Sequence, residues 1–95
     1  MIASFGDRDT ERFYNSRTRP ARLPPNLVNA ALRKLDLLDA ANELIDLRVP
    51  PGNRLEQLKG DLRGHWSIRV NDQWRLVFRW VAGNALDVRV LDYHD

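Results

Sequence analysis

No cysteine occurs anywhere in the 95 residues, which excludes a disulfide framework, a thiol nucleophile and cysteine-based zinc or iron–sulfur sites. Histidine is nearly as scarce, with only His65 and His94. Two imidazoles and scattered carboxylates do not make a metal-binding pattern, so neither metal nor cofactor is expected. Long apolar runs are missing too. The start has no basic segment followed by an apolar stretch, and no stretch approaches the length needed to span a bilayer, so the expectation is a cytoplasmic chain with no membrane partner. Lysine is confined to Lys34 and Lys59.

What is present in quantity is arginine. All fifteen basic side chains except those two lysines are arginine, although the formal net charge is only +2. A guanidinium grips phosphate through a fixed fork of donors, so this bias suits a nucleic-acid or phosphate partner. The same bias arises in proteins encoded by G·C-rich genomes, and composition alone does not choose between the two.

The length suits one hydrophobic core, hence a single domain over residues 1–95. Ile2 to Phe5 reads as a short edge strand, and Asp7 as the N-cap of a helix ending near Tyr14. Asn15 to Pro25, rich in arginine and proline, is a loop. Val28, Ala31, Leu32, Leu35, Leu38 and Ala41 then recur at spacings of three and four, predicting an amphipathic helix capped by Asn26 and running to Leu44 or Ile45. The two helices are candidates for a hairpin.

Beyond the breaker Val49-Pro50-Pro51-Gly52-Asn53 the period becomes two. Leu55 and Leu58 fall in a bent strand or irregular segment ending at Gly60. Trp66, Ile68 and Val70 alternate with His65, Ser67 and Arg69. After a turn at Asn71-Asp72, Trp74, Leu76, Phe78 and Trp80 alternate with Arg75, Val77 and Arg79. A second turn at Gly83-Asn84 leads to Leu86, Val88 and Val90 as the inward row of a last strand. The pattern predicts an α+β fold: a twisted antiparallel sheet packed on one face by two N-terminal helices.

If the apolar rows face the helices, the other sheet face presents arginines. Arg69 and Arg75, on adjacent strands, are candidates to clamp a phosphate and stabilise charge on its oxygens. Otherwise they are solvated strand residues paired with Asp87 or Asp92. Arg79 and Arg89 extend this face, and Lys59 and Arg54 are further candidates for backbone contact or simply a solvated edge. Asp92, Tyr93 and His94 combine a carboxylate, a phenol and an imidazole directly after a strand, either as proton-transfer groups or as a structural end. The three tryptophans share the alternation of core residues, which favours packing over base stacking.

The run from Pro51 to Asp61 (PGNRLEQLKGD) and from Gly64 to Trp80 (GHWSIRVNDQWRLVFRW), together with Ile2 to Phe13 and the ending Asp92-Tyr93-His94, resembles the HigB-type toxins. These are also called proteic killer proteins, of the RelE/ParE toxin superfamily. The resemblance covers nearly the whole chain. It implies an antiparallel sheet backed by two N-terminal helices, and ribosome-dependent cleavage of messenger RNA that inhibits translation. The reaction implied is attack of a ribose 2′-hydroxyl on the adjacent phosphate, without metal or cofactor. The partners implied are the ribosome, messenger RNA and a HigA-like helix-turn-helix antitoxin, which would carry most contact with operator DNA.

Carried over residue by residue, the resemblance places catalytic groups at Asp92, Tyr93 and His94, basic sheet positions at Arg69 and Arg75, and Lys59 in a segment facing substrate. Arg54 stands where some members carry histidine, so a two-imidazole mechanism is not implied. The alternatives are a ParE-like inhibitor of DNA gyrase within the same superfamily and, as different functional classes, a non-catalytic antitoxin-binding partner or a plain RNA-binding module. Retention of Asp92-Tyr93-His94 argues for the nuclease.

Overall fold

Asp7 opens the first helix as its sequence position requires: its carboxylate accepts a 2.6 Å hydrogen bond from the Thr10 amide, filling one of the donors left free at a helix start. The computed structural model describes residues 1–93. It contains α1 (Arg8–Ser16), α2 (Val28–Ala40), β1 (Glu56–Gln57), β2 (Trp66–Arg69), β3 (Trp74–Val81) and β4 (Asn84–Asp92). The strands form one antiparallel sheet in the order β1-β2-β3-β4. With α1 docked on β4, and α2 on β3 and β4, this is the expected α+β arrangement.

The second helix differs from its periodicity at both ends. Asn26 does not cap it but lies inside a 3-10 turn over Pro25–Leu27, and α2 starts behind Leu27 with no side-chain cap. The helix stops at Ala40 because Ala41 is extended and a new element begins. Glu43 and Asp46 form a reciprocal capping box that starts a separate 3-10 helix over Leu44–Arg48. Local side-chain bonds to the backbone outcompete continued helix here.

The core joins Phe13, Leu23, Leu35 and Leu38 to Ile68, Leu76, Phe78, Val88 and Val90, all essentially inaccessible. Trp74 is buried with them, and Trp66 and Trp80 pack against the margin, so the tryptophans serve the core.

Strict alternation in the last strand puts Leu86 inward, and the structure corrects this. Ala85, Val88 and Val90 are fully buried, while Leu86 pairs with Arg79 on the polar face. The pairing slips between Val77 and Arg79, and Asp87 has φ 53. One extra residue in the strand reverses which side chains face the core. The preceding turn is likewise Ala82-Gly83 rather than Gly83-Asn84. Both residues have positive φ (51 and 82), the twist a two-residue hairpin needs, and Asn84 already pairs with Val81.

The bulge is held from outside. The Asp87 amide donates to Ser4 Oγ at 2.9 Å, and its carboxylate accepts from Arg79 Nε at 2.7 Å. The segment from Ile2 to Phe5 runs parallel to β4 through bridges to Ala85 and Val88, so the expected edge strand is a short parallel strip. Further along, Thr10 Oγ1 accepts the Val90 amide at 3.1 Å, and Arg22 donates to the Val90 carbonyl. The open edge of β4 is thereby occupied.

Gly6 lies where this strip crosses the bulge. A Cβ there would stand 2.5 Å from Arg89 Cγ and 2.8 Å from the Asp87 carbonyl oxygen. The arginine stem can move, but the backbone oxygen belongs to a bulge held by Ser4 and Arg79. Gly6→Ala is therefore expected to destabilise the fold by about 1–3 kcal/mol. Urea unfolding checks this, and an unchanged midpoint would show that the strip is not closely packed on β4.

Candidate functional site

The polar face of the sheet is built in rows set by strand register. Ser67, Val77 and Arg89 form one row, Arg69, Arg75 and Leu91 a second, and Arg79 and Leu86 a third. Ser67 and Val77 have no accessible surface although they lie on the side away from the helices. The arginine face is thus a layer laid over a small second floor.

Arg75 is the centre of that layer. Its Nη1 donates to Ser67 Oγ at 3.1 Å, its Nη2 lies 3.4 Å from Glu56 Oε1, and its guanidinium carbon stands 5.9 Å from the Tyr93 ring centroid. Its side chain is only 13% exposed, whereas that of Glu56 is 50% exposed. The register explains the meeting: Glu56 pairs with Ser67 across β1 and β2, and Ser67 lies diagonal to Arg75 across β2 and β3. Tyr93 is fixed by its own amide, which donates to the Gln73 carbonyl at 2.7 Å and adds one rung beyond β4. A guanidinium has five donors, so these contacts leave capacity for anionic oxygens.

Of the residues expected from sequence, the structure therefore brings Arg75 and Tyr93 together and adds Glu56 and Ser67. Asp92 is separated from them. It pairs with Trp74, whose side chain is in the core, accepts from Gln73 Nε2 at 3.0 Å, and borders an open depression with Asp7, Asp9 and Arg22. His94 lies outside the described residues. Arg69 is the cross-strand neighbour of Arg75 but reaches the other way, to Asp72 Oδ1 at 2.5 Å. That hydrogen bond and charge, with Arg54 further off, hold the Asp72 carboxyl below its usual range.

The remaining cations are distributed around this centre. Arg79 is engaged by Asp87, and the Arg89 stem lies against Gly6 with its Nε buried and unpartnered among the described residues. Arg54, in a left-handed conformation after the turn Pro51–Asn53, and Lys59 are exposed on the β1 side.

Glu56 escaped notice in the sequence because a two-residue strand has no periodicity to read. Ser67 carried a signal, since it shares the alternation of Arg69. A guanidinium beside a carboxylate and a phenol is suited to holding a phosphodiester while protons move at its ester oxygens. Ser67→Ala removes the anchor of Arg75. It is expected to lower unfolding free energy by about 1–2 kcal/mol, because a hydrogen bond to a charged group is lost on a buried floor. Urea denaturation tests this, and unchanged stability would mean that Ser67 does not hold Arg75.

Residues 3–94 match the family described as the RelE-like toxin of the type II toxin-antitoxin system HigB. The chain is 50% identical over 94 residues to "Toxin HigB-1" of Vibrio cholerae serotype O1, covering 99% of this chain and 98% of that protein. It is 31% identical over 94 residues to "Endoribonuclease HigB" of Proteus vulgaris, covering 99% and 100%. Among solved structures, the YoeB-YefM complex from Staphylococcus aureus contains a chain of the same fold. The TM-score is 0.60 at 18% identity, over 100% of this chain and 99% of that one.

Proposed function

Since the chain belongs to the HigB-like family of RelE-like toxins of type II toxin-antitoxin systems, we propose that it is an endoribonuclease that cuts messenger RNA on the ribosome and so stops translation. The observation that carries this reading is the Arg75 guanidinium held between Ser67, Glu56 and the Tyr93 ring on the polar sheet face.

In this reaction the ribose 2′-oxygen forms a bond to the neighbouring phosphorus and the bond to the 5′-oxygen breaks. A 2′,3′-cyclic phosphate and a 5′-hydroxyl result. Arg75 carries the charge that develops on the non-bridging oxygens, supplying donors already fixed in place. The Glu56 carboxylate accepts the 2′-hydroxyl proton. Tyr93, with His94 following it, returns a proton to the departing 5′-oxygen. Asp92 acts from the opposite face by holding Gln73, whose carbonyl fixes Tyr93. Arg69, Arg79, Arg89, Lys59 and Arg54 hold the phosphates on either side of the cut. The ribosome orients a message that the small polar face grips only along one side.

The protein partner is a HigA-like helix-turn-helix antitoxin, and operator DNA is contacted mainly through it. The site of action is the cytoplasm. Among the described residues no helix is long and apolar enough to cross a membrane.

The test is translation of a defined message on purified ribosomes, with cuts mapped by primer extension. Wild-type chain is expected to give site-specific cuts, and Arg75→Ala to slow them about 10²–10³-fold. Glu56→Gln, Tyr93→Phe and His94→Ala then apportion the proton transfers. An intact message together with blocked supercoiling in a gyrase assay would overturn the nuclease in favour of a ParE-like inhibitor. An intact message with no gyrase effect would leave a non-catalytic antitoxin-binding partner.

A further inference from the structure

We propose that Arg33 and Lys34 of α2, together with Arg54 and Arg69, form a second RNA-phosphate site that continues the Arg75 site around the β2–β3 end of the sheet. The proposal rests on the ribonuclease reading and extends it to residues outside the reaction centre.

The Lys34 ammonium donates to Oδ1 of Asn53, a neutral amide, and has no carboxylate partner among the described residues. Asn53 is fully buried, and its Nδ2 donates to the carbonyls of Leu47 at 3.2 Å and Val49 at 3.3 Å. The platform beneath Lys34 is therefore fixed. Arg54 follows Asn53 directly and is exposed, and Arg69 lies on the adjoining strand end. Burial first, then the charges of Arg33 and Arg69, push the Lys34 ammonium below its usual range. The turn Pro51–Asn53 that receives Lys34 also packs against β2, whose last residue is Arg69, so the strand end carrying Arg69 adjoins the turn that joins Lys34 to Arg54.

Of the carboxylates beside these cations, Asp72 is taken by Arg69, and Asp36 borders the same groove as Arg33 and Lys34 without an ion pair among the described residues. Cations gathered with so little compensation repel one another, and their arrangement becomes favourable when a polyanion arrives. Two features favour RNA over an acidic peptide. Arg69 is the register partner of Arg75, so a strand of phosphates leaving Arg75 meets it next. The groove beside Arg33 and Lys34 also has Leu37, Ala40 and Pro50 in its wall, an apolar surface for a ribose or base.

Counterion release gives a direct measurement. Binding of a short fluorescent single-stranded RNA is followed by anisotropy over a salt series. Arg33→Gln and Lys34→Gln are each expected to reduce the slope of log K against log salt by ~0.7, and the double variant by ~1.4. Lys34→Arg should keep the wild-type slope. Arg12→Gln, an exposed cation of α1, is the control. The Arg33 side chain makes no hydrogen bond among the described residues, so its variant keeps the test sound even if Lys34→Gln unsettles Asn53.

Co-sedimentation with purified ribosomes forms a second arm. A loss there alone assigns the phosphates to ribosomal RNA, and a loss in both arms assigns them to the message; either supports the site. Wild-type slopes in both arms, or an equal fall with Arg12→Gln, would overturn it. So would loss of antitoxin binding alone, which would make the groove a protein interface. Cleavage with unchanged slopes removes this site and leaves the nuclease. Reduced slopes without any cleavage by wild type remove the nuclease and leave the site.

Discussion

Between Leu86 and Val88 the backbone of β4 must turn its alternation over, and Asp87 does so in a left-handed conformation with φ 53. Ala85 and Val88 can then both enter the core, and Leu86 is released to the polar face. A non-glycine residue in that conformation is disfavoured, so its surroundings must hold it. They do so through Ser4, which accepts its amide, and through Arg79, which binds its carboxylate. The parallel strip before α1, the approach of Gly6 to the Asp87 carbonyl and the position of the Arg89 stem all follow from this point. The fold's closing edge and the layout of its arginines are one constraint seen from two sides.

The same register decides which polar groups meet. Because Glu56 pairs with Ser67, a strand of only two residues delivers a carboxylate to the edge of the arginine layer. Because Ser67 is small and fully buried, the Arg75 side chain can lie over it and remain largely covered while its guanidinium still reaches Glu56 and Tyr93. Guanidinium and carboxylate are therefore held together by strand register and by the buried Ser67 hydroxyl.

Charge in this protein is a matter of place rather than amount. A formal charge of +2 would be unremarked in any small domain. Carboxylates bind Arg22, Arg69, Arg75 and Arg79, whereas Lys34 rests on a neutral amide and Arg33 and Arg54 have no ion pair among the described residues.

The sequence by itself determined the α+β class, the first helix with its Asp7 cap, the β2–β3 pairing and the burial of the tryptophans. Each is carried by a local period or by a side chain bonding to its own backbone. It also marked Arg75 and Tyr93 as candidate site residues, and its resemblance pointed to the family. The end of α2 was also local, in the Glu43–Asp46 capping box that the apolar period conceals, but only the tertiary structure decided the facing of Leu86, which a bulge reverses. It alone brought Glu56 to Arg75, set Asp92 on the other side from Tyr93, and turned Arg69 toward Asp72. A period reports which face of an element is apolar, but the meeting of side chains across strands depends on register, which the pairing of β1, β2 and β3 sets for Glu56 and Arg75 and one left-handed residue shifts in β4.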